Sequence, residues 1–106
     1  MTNPNAHVLF LFVDGLGLSA DPRSPLRTCA LPTLSDLTHG FDVEPRDGRM
    51  RAYRVLDATL GLDGLPQSAT GQASLLTGIN AAAHLGRHQG PHPGAVLQAL
   101  LREQSL

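Results

Sequence analysis

The chain has 106 residues, 42% of them hydrophobic and 16% charged, with a formal net charge of −1. That balance allows one modest core, burying roughly two-thirds of the unfolded surface, and lacks the basic surplus of a nucleic-acid partner or a membrane-surface segment. Cys29 is the single cysteine, so no intrachain disulfide is possible, and the odd thiol fits a reducing compartment. The longest apolar run, Val8 to Val13, is far too short to span a membrane and is not preceded by the positive charge of a secretory signal. A soluble, cytoplasmic protein is expected.

Taken in chain order, Val8 to Val13 is apolar without alternation, which predicts a strand buried on both faces of a parallel sheet. Asp14-Gly15-Leu16-Gly17 should end it in a sharp turn, and Pro22 and Pro25 should keep the next stretch irregular. Pro32 to Leu37 predicts a short helix, with Gly40 just past its end. Arg49 to Leu56 predicts a second, more exposed strand, and residues 57 to 67, with Gly61, Gly64 and Pro66, a loop. A helix is expected from Ser68 or Ala69 to about Thr77, capped by Gly78. One further helical turn could cover Asn80 to Leu85, and Gly86 to Gly94 is broken by Gly90, Pro91 and Pro93. Ala95 to Gln104 predicts an amphipathic helix with Val96, Leu97, Leu100 and Leu101 on one stripe. The expected fold class is therefore α/β, a mainly parallel sheet flanked by helices. Two strands leave both edges open, so residues 1–106 read as the N-terminal segment of one larger α/β domain, or as a chain that needs a partner.

Two residues stand out chemically. Asp14 follows the first predicted strand, and in open α/β sheets ligands sit beyond the carboxyl ends of strands. A carboxylate there, on a glycine turn, suits a divalent cation; it equally suits a turn in which the side chain accepts nearby main-chain amides. Ser68 opens a predicted helix. Its hydroxyl could be a nucleophile beside amides that hold an anion, or an ordinary N-cap that stabilises the helix by about 1 kcal/mol. Thr70 is a competing hydroxyl two residues on. Gly15-x-Gly17-x-x-Ala20 also matches a relaxed dinucleotide fingerprint, which requires a helix to begin at the glycines. A P-loop is excluded because the chain contains no Lys.

Other positions are open to two readings each. His84, His88 and His92 are spaced i, i+4, i+8, which would align them on a continuous helix as a metal cluster; the glycines and proline around them favour loop histidines instead. Arg87 could hold a substrate phosphate or be a surface charge. Asp57 and Asp63 could approach Ser68 or serve only as turn formers. Cys29 reads as a small buried apolar residue.

Ser68-Ala-Thr-Gly-Gln-Ala-Ser-Leu-Leu-Thr77-Gly78 resembles the nucleophile motif of the alkaline phosphatase superfamily. It shares the length, first position and Thr-Gly end of the sulfatase pattern C/S-x-P-x-R-x-x-x-x-T-G, with Thr70 and Gln72 in place of the Pro and Arg. Gly64 to Gln72 is more similar to the branch of cofactor-independent phosphoglycerate mutase and phosphopentomutase, whose serine lies in an N-S-x-x-G-H setting; here Gln67 and Gln72 replace the Asn and His. Val13-Asp14-Gly15-Leu16-Gly17 resembles that superfamily's first metal-ligand turn. The resemblance implies an incomplete alkaline-phosphatase-like domain, with Asp14 a ligand to one of two divalent ions, Mn or Zn, and Ser68 the metal-bound nucleophile that accepts a phosphoryl group from a small phosphorylated substrate. Arg87 and Thr70 would contribute to substrate binding. The superfamily supplies its remaining Asp and His ligands from later positions, so this chain alone is expected to bind metal weakly and turn over nothing. The competing expectations are a truncated, non-catalytic binding or assembly module, oligomeric through uncovered apolar surface, and a dinucleotide-binding module.

Overall fold

A computed structural model describes residues 7, 9–38, 46–47 and 52–106. Its elements are α1 (Pro25–Thr28), α2 (Pro32–Leu37), β1 (Arg46–Asp47), β2 (Ala52–Tyr53), α3 (Ser68–Thr77), α4 (Ala81–Leu85) and α5 (Ala95–Gln104). The architecture is helical, and its packed unit is α3–α4–α5.

α3 is built of small residues and ends at Gly78, whose φ of 70° is the left-handed conformation that glycine adopts without penalty. Its Ser and Thr hydroxyls turn back onto the helix: Ser74 Oγ donates to the Thr70 carbonyl at 2.8 Å and Thr77 Oγ1 to that of Ala73 at 2.7 Å. Ser74 Oγ also accepts the Ala81 N–H at 2.9 Å, tying α4 to α3. Asn80 caps α4, its Oδ1 accepting from Ala83 N–H at 2.9 Å, while its Nδ2 donates to the Leu60 carbonyl at 2.7 Å and fastens the 57–61 turn. The chain end is pinned in turn, since the Leu106 N–H donates to the Leu76 carbonyl at 3.1 Å.

The core lies where the three helices meet. Ala69 and Ala73 of α3, Ala81 of α4, and Leu97 and Leu100 of α5 form one buried cluster, with Ile79, Leu85 and Leu101 packed against it. Alanines on two helices let the backbones approach closely enough for the α5 leucines to fill the space between them. Val96 is half exposed and lies outside the cluster, so the buried stripe of α5 is narrower than its sequence suggests.

The expected mainly parallel sheet, with its incomplete alkaline-phosphatase-like arrangement, is not what the described residues form. The strands among the described residues are two residues long each and pair antiparallel, Arg46 with Tyr53 and Asp47 with Ala52. Of the predicted strand over 49–56, residues 49–51 lie outside the described residues, Ala52–Tyr53 form β2, and 54–56 are irregular. Residues 9–13 have no strand partner among the described residues (Val8 lies outside them), and their side chains face solvent: Leu9 is 91% and Leu11 81% exposed. An apolar strand stays buried only where a neighbour takes its main-chain groups and layers cover both faces. Here β2 is engaged antiparallel with β1 and the helical unit packs elsewhere.

Two smaller differences concern helices. Residues 25–28 are helical although prolines surround them. Pro25 sits in the first turn, where its missing N–H is not needed. α2 spans the expected residues, but Thr38 closes it, with Oγ1 donating to the Leu34 carbonyl at 2.7 Å; Gly40 lies outside the described residues.

Leu97 is fully buried, and Leu97→Ala is expected to cost about 2–5 kcal/mol. The measurement is the shift in urea midpoint against Val96→Ala; equal shifts for the two variants would overturn the core assignment.

Candidate functional site

Asp14 and Gly15 form a turn, with Gly15 at φ 72°. A Cβ there would meet nothing within 4 Å, so the positive φ, rather than space, calls for glycine. Ser68 is the first residue of α3. The N-cap is Gln67, in an extended conformation (φ −128°, ψ 148°) and with no side-chain capping bond. Ser68 is therefore not the cap of its helix. Its Oγ instead donates to Asp14 Oδ2 at 3.0 Å, across 54 positions of sequence. The two residues that stood out chemically thus meet in space.

Comparison with other aspartates sharpens this contact. The Asp57 Oδ1 accepts the Thr59 hydroxyl at 2.7 Å and the Thr59 N–H at 2.9 Å; these bonds, the hydroxyl first, hold its carboxyl below the usual value. Asp21 accepts from the Arg23 guanidinium and then from the Arg23 N–H, with the same effect. Both are local turn formers. Asp14 accepts no main-chain amide among the described residues and reaches across the chain to a hydroxyl.

The opening turn of α3 has further free groups. Among the described residues neither Ser68 N–H nor Ala69 N–H has an acceptor, whereas the Thr70 N–H donates to the Gln89 carbonyl at 3.1 Å. Thr70 is fully buried. Its hydroxyl donates to the Gln67 carbonyl at 3.2 Å and accepts the Gln89 N–H at 3.3 Å. The structure thus places Thr70 as the clasp between α3 and residues 86–90, with its hydroxyl engaged by main-chain groups.

Arg87 is exposed. Its N–H donates to the Ala82 carbonyl at 3.1 Å, and its guanidinium has no partner among the described residues. It borders a cleft of about 690 Å³ between residues 62–67 and 86–90. Neither Ser68 nor Asp14 lines this cleft, but its wall adjoins the start of α3. A Cβ on Gly90 would lie 2.8 Å from Gln67 Oε1 and 3.3 Å from Ser68 N. Sequence reasoning missed Gln89 and Gly90 as site-building residues; Gly90-Pro91 signalled a helix break and nothing about what the break would dock against.

The histidines do not share a helical face, because α4 stops at Leu85 and Gly86 adopts a left-handed φ of 76°. His84 and His92 are exposed; His88 is half-buried, with Nε2 3.4 Å from the Leu62 carbonyl and Nδ1 buried without a partner among the described residues. Asp63 lines the cleft. Cys29 is exposed, not buried as its residue type suggests. No helix starts at Gly15 or Gly17, since residues 16–20 are irregular and α1 begins at Pro25, so the helical half of the dinucleotide fingerprint is missing. Among the described residues no helix is long and apolar enough to cross a membrane.

The fit of a metal pair can be tested on the donor set. Among the described residues no three His, Cys, Asp or Glu side chains are grouped closely enough to hold an ion. Asp14 and Ser68 offer one carboxylate and one hydroxyl, which do not by themselves make a two-metal site. No family model, no curated protein and no solved structure matches the chain.

Calorimetric titration with Mn²⁺ or Zn²⁺ is expected to show no site of micromolar affinity. A micromolar isotherm that disappears in Asp14→Ala would overturn this reading of the donor set.

Proposed function

We propose that the chain carries part of a site for phosphoryl transfer or phosphate-ester hydrolysis, with Ser68 as nucleophile and Asp14 as the group that orients it and takes its proton. The observation that carries this reading is the 3.0 Å hydrogen bond from Ser68 Oγ to Asp14 Oδ2. A serine hydroxyl is a weak nucleophile until a neighbour removes its proton, and the carboxylate is within the reach such a transfer needs. As the Oγ–P bond forms, the P–O bond to the leaving alcohol breaks; the Ser68 proton passes to Asp14, and the departing oxygen takes one from solvent. Transfer of the phosphoryl group from Ser68 to water completes hydrolysis, and transfer to another hydroxyl of the substrate completes a mutase cycle. The Ser68 and Ala69 amides at the positive end of α3, without acceptors among the described residues, favour the non-bridging oxygens.

The resemblance of residues 13–17 and 64–78 to the mutase and phosphatase branch of the alkaline phosphatase superfamily supports Ser68 as the nucleophile and a small phosphorylated substrate, while for Asp14 it implies the role of a metal ligand. It also implies two divalent ions, Mn or Zn, whose ligands must extend beyond Asp14 and Ser68; the step above uses only those two residues. A cytoplasmic setting suits the lone, exposed thiol of Cys29.

Incubation with acetyl phosphate is expected to leave phosphoserine at Ser68, detected by peptide mass spectrometry, without multiple turnover. Ser68→Ala should abolish the label, and Asp14→Asn should slow its appearance by about 100-fold or more. Equal labelling of other hydroxyls, or a rate unchanged in Asp14→Asn, would sink the assignment.

A second reading, a non-catalytic assembly module that retains the Asp14–Ser68 contact, is favoured by the solvent-facing run Leu9–Val13. It predicts that the chain sediments as an oligomer and that Leu11→Glu sediments as a monomer. A monomeric wild-type chain would dispose of it.

A further inference from the structure

The peptide unit between Gln67 and Ser68 is held at both its oxygen and its nitrogen, by residues that have no part in the step assigned to Ser68 and Asp14. We propose that Thr70 and Gly90 are positioning residues: the Thr70 hydroxyl and the bare Cα of Gly90 fix this peptide and so set the direction of the Ser68 N–H and the aim of the Ser68 hydroxyl at Asp14. The consequence for rate rests on the phosphoryl-transfer reading; the positioning does not.

A peptide unit is planar, so fixing its oxygen also fixes its N–H. The Gln67 carbonyl accepts the Gly71 N–H at 3.0 Å and the Thr70 hydroxyl at 3.2 Å. The first is the ordinary bond of a helix start; the second is added by a side chain. Thr70 is fully buried, so its hydroxyl must find its partners within the protein. Its proton goes to Gln67, the Gln89 carbonyl being more distant at 3.5 Å. The same oxygen accepts the Gln89 N–H at 3.3 Å, and the Thr70 N–H donates to the Gln89 carbonyl at 3.1 Å. One hydroxyl thus joins the peptide before Ser68 to the segment that lies against it.

That segment comes closest at Gly90. A Cβ there would lie 2.8 Å from Gln67 Oε1, 3.1 Å from Gln67 Cβ and 3.3 Å from Ser68 N. Gly90 does not have a positive φ, so closeness to Gln67 and Ser68, and not backbone conformation, excludes a side chain. The amide end of Gln67 can swing aside. Ser68 N cannot shift without turning the peptide that Thr70 holds. Gly71, in the first turn of the same helix, has nothing within 4 Å of its Cβ position and provides the control.

The test is the ¹³C resonance of the Asp14 carboxyl in the full chain, measured with Ser68 and with Ser68→Ala; the difference between the two is the signature of the 3.0 Å bond. Thr70→Val, which removes the hydroxyl and keeps the shape, and Gly90→Ala are each expected to abolish that difference. Thr70→Ser, which restores the hydroxyl, and Gly71→Ala should retain it. Phosphoserine formation at Ser68 should slow by about tenfold or more in Thr70→Val and Gly90→Ala. Amide dispersion reports whether each variant is folded, and Gly90→Ala decides the outcome if Thr70→Val does not fold. A lowered urea midpoint with the Asp14 signature intact in Gly90→Ala, or in a folded Thr70→Val, would make the residue structural only and overturn the proposal. Loss of the signature in Gly71→Ala as well would overturn it too. A signature that depends on Thr70 and Gly90 without any Ser68 labelling would reject the nucleophile and keep the positioning; labelling at one rate in all four variants would do the reverse.

Discussion

The contact of the α5 leucines with the alanine faces of α3 and α4 is the constraint on which the described helical unit depends. Leu97 and Leu100 have a place only because Ala69, Ala73 and Ala81 leave one. Burying a leucine contributes about 1.5–3 kcal/mol, so a core with two of them is small, and polar ties complement it. Ser74 joins α4 to α3, Asn80 joins α4 to the 57–61 turn, and Thr70 joins α3 to the loop at Gln89. In each tie a short polar side chain bonds to the main chain of a neighbouring segment. They fix the axis of α3 and the position of its first residue.

With its axis fixed, α3 presents Ser68 at its open end. Gln67 takes the N-cap position without using its side chain as a cap, which leaves the Ser68 hydroxyl available for Asp14. The contact is long-range in sequence, unlike the local turns of Asp21 and Asp57, whose carboxylates are engaged within two residues. A turn-forming aspartate explains its own neighbourhood. The bond from Ser68 to Asp14 instead joins segments 54 positions apart.

The apolar run at 9–13 is the other side of the account. An unalternated stretch of Leu, Phe and Val has the composition of a strand buried on both faces, but composition supplies no partner. The pairing seen among the described residues, Arg46–Asp47 with Ala52–Tyr53, is antiparallel and two residues long. Leu9–Val13 therefore meets solvent on both faces, an arrangement that sheet proteins ordinarily avoid.

Much of the local structure was legible in the residues. Gly78 as the stop of α3, Pro32 at the head of α2 and the period of Leu97 and Leu100 are short-range rules of backbone conformation and helical spacing, which depend on a few neighbours. The same rules exposed Asp14 and Ser68 as residues of interest, since a carboxylate after an apolar run and a hydroxyl at a helix start are local patterns. Their 3.0 Å separation was not legible, because it depends on how α3 is oriented by packing against α4 and α5. Nor was the clasp of Thr70 on Gln89, or the cleft beside Gly90, since each joins segments that no local rule connects. By itself the sequence determined the spans of α3, α4 and α5 and which side chains could do chemistry, while α1, set among prolines, escaped it. Only the tertiary structure decided which of them meet, and whether an apolar run becomes a buried strand, because burial and pairing are properties of the neighbours a segment finds in space.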